Sequence, residues 1–293
     1  MIGAIRLSGP RMPHPLRHGL ALCLLAATAT AANPPAPSAA AFDAAFASAL
    51  REGMGTTPAE GAAAVAALRA TLPDGDAFRQ RRFDAIACGA ARRDRKAALA
   101  NAEALLAAEI AQPAADPTHL ALLHACRAVF LTIGTVTPEV RAAYDAAAAA
   151  AERSGNRLLH GQALAQRSGS HSMAGEFAKA LVDALAAQQV LQDSGEPFAI
   201  AANLQNVGIA YRRMGEQARA EEYLKRSLED PEIRSRWSYQ MVSLLQLGYL
   251  YDESGRFDDA RRVLDEAVAL CQRHDSLVDC GYARLALAGV DVN

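Results

Sequence analysis

Residues 204–228, LQNVGIAYRRMGEQARAEEYLKRSL, decide the fold, because the same pattern returns forty residues later. Gly208 is answered by Gly248, Tyr211 by Tyr251, Gly215 by Gly255, Ala220 by Ala260 and Leu224 by Leu264. A weaker copy lies forty residues earlier, with Leu164, Gly175, Ala180 and Ala184 in the places of Leu204, Gly215, Ala220 and Leu224. Self-similarity at a fixed period of roughly 20–50 residues marks a repeat architecture. Leu204, Val207, Gly208 and Tyr211 fall at i, i+3, i+4 and i+7, which is one apolar face of a helix. Ala220, Leu224 and Ser227 mark the facing stripe of a second helix, with Met214-Gly215-Glu216 as the turn between them. A glycine inside a helix costs about 1 kcal/mol relative to alanine. Gly208 and Gly248 are therefore expected to serve close approach of the second helix, with the small Ala220 and Ala260 serving it from the other side.

These units resemble the tetratricopeptide repeat. Leu247-Gly248, Tyr251, Ala260, Leu264 and Ala267 follow its pattern, and Val207-Gly208, Tyr211 and Ala220 follow it nearly as well. The unit at 161–200 departs from it, with Arg167, Ser168 and His171 in the Leu, Gly and Tyr places. The resemblance implies an all-α, right-handed superhelix of stacked helix hairpins. A period of about 40, against the usual 34, implies longer helices than the common repeat.

The chain divides into four stretches. Residues 1–32 read as a secretory signal peptide: Arg6, Arg11 and Arg17 precede a short apolar run at 19–27, followed by small residues with A-x-A cleavage sites. That run is far short of the roughly 20 residues a membrane helix needs. Residues 33–40 read as a Pro-rich tether, 41–156 as degenerate helical hairpins, and 157–293 as repeats whose last copy is incomplete. Helix starts are signalled by Thr57-Pro58-Ala59-Glu60, Asp94, Asp116-Pro117, Thr137-Pro138, Glu196-Pro197 and Asp230-Pro231. Asp230-Pro231 is expected to open one helix over about 232–253. Stacking of six hairpins and a final helix from about 277 is expected to make one continuous core. Loss of residues 1–31 removes three of the 30 cations and none of the 32 anions, taking the charge from −2 to −5. That argues against the basic face a nucleic-acid partner requires.

Little catalytic chemistry is legible. No CxxC, HExxH, GxSxG or phosphate-loop motif occurs, so neither a metal nor a cofactor is expected. The histidines read as solvated or capped, and Arg92-Arg93-Asp94-Arg95-Lys96 as a solvated turn. Cys88 and Cys126 read as small packing residues; Cys271 and Cys280, flanking one turn, are spaced for a disulfide without requiring one. One constellation stands out. Gln166, Asn206 and Gln246 recur two residues before the Gly place on three successive first helices. In the tetratricopeptide family these helices line the concave face, and an amide there resembles one that holds an extended peptide by its backbone. An amide carries both donor and acceptor and suits that task, though it would equally solvate a polar groove. Arg212, Arg213 and Tyr249 are expected to border the groove. The family's lysine clamp for a terminal carboxylate is not matched, since Gln205 and Leu245 stand in the lysine place.

The expected function is binding of a protein or peptide, without catalysis, by an exported and periplasmic module. Residues 202–216 and 244–260 also resemble periplasmic sensory regions of bacterial GGDEF diguanylate cyclases, which implies the sensory part of a longer signalling protein. An envelope adaptor and an enzyme on a helical scaffold are the alternatives; the second would need paired acids in the groove, whereas Glu176, Glu216 and Asp258 fall at turns.

Overall fold

The structure, a computed structural model, describes residues 39–52, 58–88, 94–274 and 277–291. The signal peptide, most of the tether, the Thr57 cap and Arg92-Arg93 lie outside the described residues. The helices are α1 (Ala39–Glu52), α2 (Pro58–Ala70), α3 (Ala77–Cys88), α4 (Arg95–Ile110), α5 (Pro117–Leu131), α6 (Pro138–Arg153) and α7 (Arg157–Met173). They continue as α8 (Phe177–Gln192), α9 (Pro197–Arg213), α10 (Gln217–Glu229), α11 (Pro231–Arg234), α12 (Trp237–Glu253), α13 (Phe257–Arg273) and α14 (Leu277–Asp291). No strand occurs among the described residues, only one isolated bridge between Ile133 and Thr135. No described helix is long and apolar enough to cross a membrane.

Several helix starts carry a side-chain cap, Asn156 among them, whereas Glu196 makes none. Asp94 accepts from the Ala97 amide, Asp116 from Thr118 and His119, Thr137 from Val140 and Asn156 from Leu159. Each satisfies amides that a helix start leaves orphaned. The stops are equally regular. Gly155, Gly175, Gly195, Gly215 and Gly255 all have positive φ, between 68° and 80°. At Gly215 the Glu216 amide donates to the Tyr211 carbonyl and the Gly215 amide to Arg212, which closes the helix by the Schellman pattern. Gly175 and Gly255 repeat it onto His171 and Tyr251. Helices α6, α7, α8, α9 and α12 therefore reverse at a left-handed glycine, and the following helix packs back on each.

One helix differs from expectation. The stretch beginning at Asp230-Pro231 breaks into α11, a single turn, and α12, which starts only at Trp237. Asp230 caps the Glu232 amide at 2.9 Å, and the fully buried Ile233 anchors the turn. No glycine or proline marks the break at Ser235-Arg236, so the helical pattern of the sequence runs through it.

Packing follows the repeat. A Cβ placed on Gly208 would lie 2.7 Å from Leu224 Cγ, and one on Gly248 2.5 Å from Leu264 Cδ2. The second helix of each hairpin occupies the room the missing side chain leaves. Ala220, Leu224 and Ser227 are the buried residues of α10, and Ala260, Leu264 and Ala267 are buried on α13. The core differs from the single one expected. One large cluster of buried apolar side chains runs from α1 to the start of α9, a second from α8 to α14, and a small third joins α5 and α6. Buried polar residues interrupt the apolar run where the two large clusters meet: Ser168, Ser170, Asp183 and Asn203.

Each large cluster holds a disulfide. Cys271 and Cys280 are bridged across the α13–α14 turn with Cα atoms 5.4 Å apart. Cys88 and Cys126, expected as separate packing residues, are bridged as well, with Cα atoms 6.1 Å apart. Packing of α3 against α5 brings together two positions 38 residues apart, which spacing could not indicate.

Candidate functional site

The amides of α7 and α9 meet in one groove. Gln166 and Asn206 line a cavity of about 340 Å³ together with Gln162, Phe198, Asn203 and Tyr239. That volume is within the roughly 300–1,000 Å³ of ligand sites. Gln162 and Gln166 are one helical turn apart on α7 and so share a face. The amide oxygens of both are buried without a hydrogen-bond partner. A buried acceptor left unpaired costs about 1–3 kcal/mol, which a donor on a ligand would recover. Asn206 is weakly held, its Nδ2 donating to Asn203 Oδ1 at 3.5 Å. Asn203 is fixed in turn, its Nδ2 donating to the Ala184 carbonyl at 2.8 Å and Gln188 Oε1 at 3.0 Å.

Aromatic rings form one wall. Phe198 and Tyr239 meet edge to face at 4.9 Å, and the Arg236 guanidinium lies over Phe198 at 4.0 Å. Burial pushes the Tyr239 hydroxyl above its ordinary value. Gln205 donates to the Tyr239 carbonyl at 2.7 Å and to Ser243 Oγ at 2.9 Å, which ties α9 to α12 behind the groove.

The other expected groove residues are distributed differently. The Gln246 oxygen is also buried and unpartnered, but Gln246 does not line this cavity. Arg212 is buried: it pairs with Glu253 and lies 5.5 Å from the Tyr249 ring, so both residues belong to the α9–α12 joint. Arg213 is exposed and outside the cavity. Gln162, Phe198 and Tyr239 were not anticipated. Gln162 is legible from its i, i+4 relation to Gln166, whereas Tyr239 belongs to α12, a helix not sequential with α7 or α9.

Two polar clusters replace the solvated side chains expected from the sequence. On α7, Arg167 grips Asp183 through Nε and Nη2 at 2.7 and 2.8 Å, and His171 Nδ1 lies 2.7 Å from Glu176. His171, then Arg141 and Lys179, hold the Glu176 carboxyl down to about 2. In the first core, His119 and Glu109 are 0 % and 1 % exposed, with His119 Nδ1 3.3 Å from Glu109. Glu109 also accepts from Arg81 at 3.0 Å and from the Asp116 amide at 2.8 Å. Desolvation keeps the His119 imidazole below its ordinary value despite the acids beside it. Arg95 is likewise not a solvated turn residue, since it donates to the Phe130 carbonyl at 2.7 Å and to that of Thr132. Among the described residues no group of three or more His, Cys, Asp or Glu is arranged to hold a metal ion.

A tetratricopeptide repeat model matches residues 201–230 and 241–274, the two units with the strongest internal pattern. The fold is thus all-α, built of paired helices, and tetratricopeptide-like. Among solved structures it is similar to a Rap protein complexed with Competence and Sporulation Factor. That likeness has a TM-score of 0.61 and 14% identity, over 78% of this chain and 67% of that one. It is also similar to BtubC (BKLC) from P. vanneervenii, with a TM-score of 0.52 and 16% identity over 80% and 92% of the two chains. No curated protein matches the sequence.

Proposed function

We propose that this chain is a non-catalytic module that binds a protein or peptide in extended form along the groove between α7 and α9. The observation that carries this reading is the pair of buried, unpartnered amide oxygens of Gln162 and Gln166 in the cavity wall. An extended backbone supplies N–H donors at regular intervals, and Asn206 can offer donor or acceptor to the same strand. The Phe198–Tyr239 wall would take an apolar side chain. The fold likeness to a Rap protein complexed with Competence and Sporulation Factor supports a binding role. Stacking of the hairpins into a right-handed superhelix would continue the groove towards Gln246, Arg213 and Tyr249.

Export is part of the proposal. The signal-like residues 1–32 support it, as do two disulfides, which persist chiefly in oxidising compartments. The finer reading, a periplasmic sensory region of a diguanylate-cyclase type protein, rests on the resemblance of residues 202–216 and 244–260 alone.

The test is a triple substitution, Gln162→Ala, Gln166→Ala and Asn206→Ala, in the purified protein. Helical content should stay intact while capture of partners from an envelope extract, quantified by mass spectrometry against the parent chain, falls. The same partners in the same yield would leave the amides as solvation only.

A further inference from the structure

A second cavity, of about 410 Å³, opens where α1 and α3 meet the N-terminal ends of α5 and α7 and the α8–α9 turn. It shares no lining residue with the amide groove. Its walls carry Arg51, Arg82 and Arg157 against Asp193 and Glu196, one more cation than anion. Arg157 is satisfied by Asp193 at 2.5 Å. Arg82 is not satisfied in this way. Its nearest carboxylates, Asp43 and Asp116, both stand at 3.8 Å, and its Nε is buried without a partner. Both acids are engaged elsewhere: Arg79 holds Asp43 at 2.6 and 3.2 Å, and Asp116 caps α5. Arg51 is equally loose, 4.0 Å from Glu196, and Glu196 makes no capping bond on α9.

The cavity also has an apolar side, formed by Phe46, Leu50 and Leu158. The Arg82 guanidinium lies 5.0 Å from the Phe46 ring and 4.7 Å from that of Phe78. A planar guanidinium with free donors matches a carboxylate bidentately, and such charge-assisted pairs are the strong ones. We propose that this cavity binds a small monocarboxylate with an apolar body, a free amino acid or the C-terminal residue of a peptide, its carboxylate on Arg82 and Arg51. Both sources share the carboxylate and the apolar side chain. They differ at the amine, which in a free amino acid is an ammonium suited to Glu196.

The probes are N-acetyl-L-leucine, L-leucine and L-leucinamide, titrated into the full chain and followed by calorimetry and ligand-observed NMR. N-acetyl-L-leucine should bind and L-leucinamide should not. Binding of L-leucine as well assigns the free amino acid, and its failure beside N-acetyl-L-leucine assigns a chain terminus. Arg82→Gln should weaken binding about tenfold or more, the usual effect of losing a charge-assisted pair. Because Arg82 also stacks within the core, Arg51→Gln provides an independent variant at a half-exposed position, and it should weaken binding with an unchanged circular dichroism spectrum. Gln166→Ala should leave it unaltered. Absence of binding by both carboxylates, unchanged affinity in Arg51→Gln, or loss of binding in Gln166→Ala would each overturn the proposal.

Discussion

Where α12 meets α13, a missing side chain at Gly248 admits Leu264; in the same register of α7 and α8 stand Ser168 and Ala184. Volume is moved from the second helix to the first. The Ser168 hydroxyl, almost fully buried, donates to the Ala180 carbonyl at 2.7 Å, so its polarity is satisfied across the joint. The next positions diverge in the same direction. Tyr251 is buried, donates to Glu221 at 3.0 Å and lies under Arg256, whereas His171 in its place sits in an ionic cluster with Glu176 and Asp183. The Leu247 place holds Arg167, locked to Asp183. The two hairpins share a backbone course, including the glycine that ends the first helix, while one joint is apolar and the other polar. The repeat is thus a constraint on summed volume and on satisfied polar groups rather than on residue identity.

The sharpest way to break that comparison is to fill the glycine. Gly248→Leu, and likewise Gly208→Leu, forces apart a contact with no spare room. A loss of about 3 kcal/mol or more is expected, at the upper end for overpacking. Denaturant melts of the two variants check it, and wild-type stability in both would show that the close approach is not needed.

A smaller effect sharpens the exchange of volume. Ala184→Leu alone should destabilise by crowding Ser168, and Ser168→Gly alone by losing the bond to Ala180. Together they rebuild the Gly–Leu joint inside α7–α8. A double-mutant cycle should then give a favourable coupling of about 0.5–3 kcal/mol, as neighbouring sites do. Additive losses would mean that the two joints are not interchangeable.

The smallest effect is the response to acid, to which the polar joint is exposed and the Gly248–Leu264 contact is not. Glu176 is held at about 2 in the fold against an ordinary 4.5. Its contribution is complete above about 4.5 and is lost as the pH falls from there towards 2. His119 acts in an earlier window. The unfolded chain takes up a proton below about 6.5 while the buried ring resists it, so stability falls from that pH downwards. Melting temperatures measured from pH 7 to pH 3 should decline in these two stages, and Glu176→Gln should remove part of the second while leaving the first.

The sequence by itself determined the all-α class, the caps, the glycine turns and the close approach at Gly208 and Gly248. These are local matters, since a cap, a left-handed turn residue and a helical face each involve residues within a few positions of one another. It also singled out Gln166 and Asn206, which line one cavity. Only the tertiary structure decided the rest. The α11–α12 break, with Ile233 buried in its single turn, and the place of Tyr239 in the groove wall are of this kind. The Cys88–Cys126 bridge, the burial of His119 against Glu109 and the pairing of Arg212 with Glu253 join residues 38, 10 and 41 positions apart. Such pairs lie on different helices, and the sequence pattern within one helix states which face is buried but not which side chain of the neighbour it will meet.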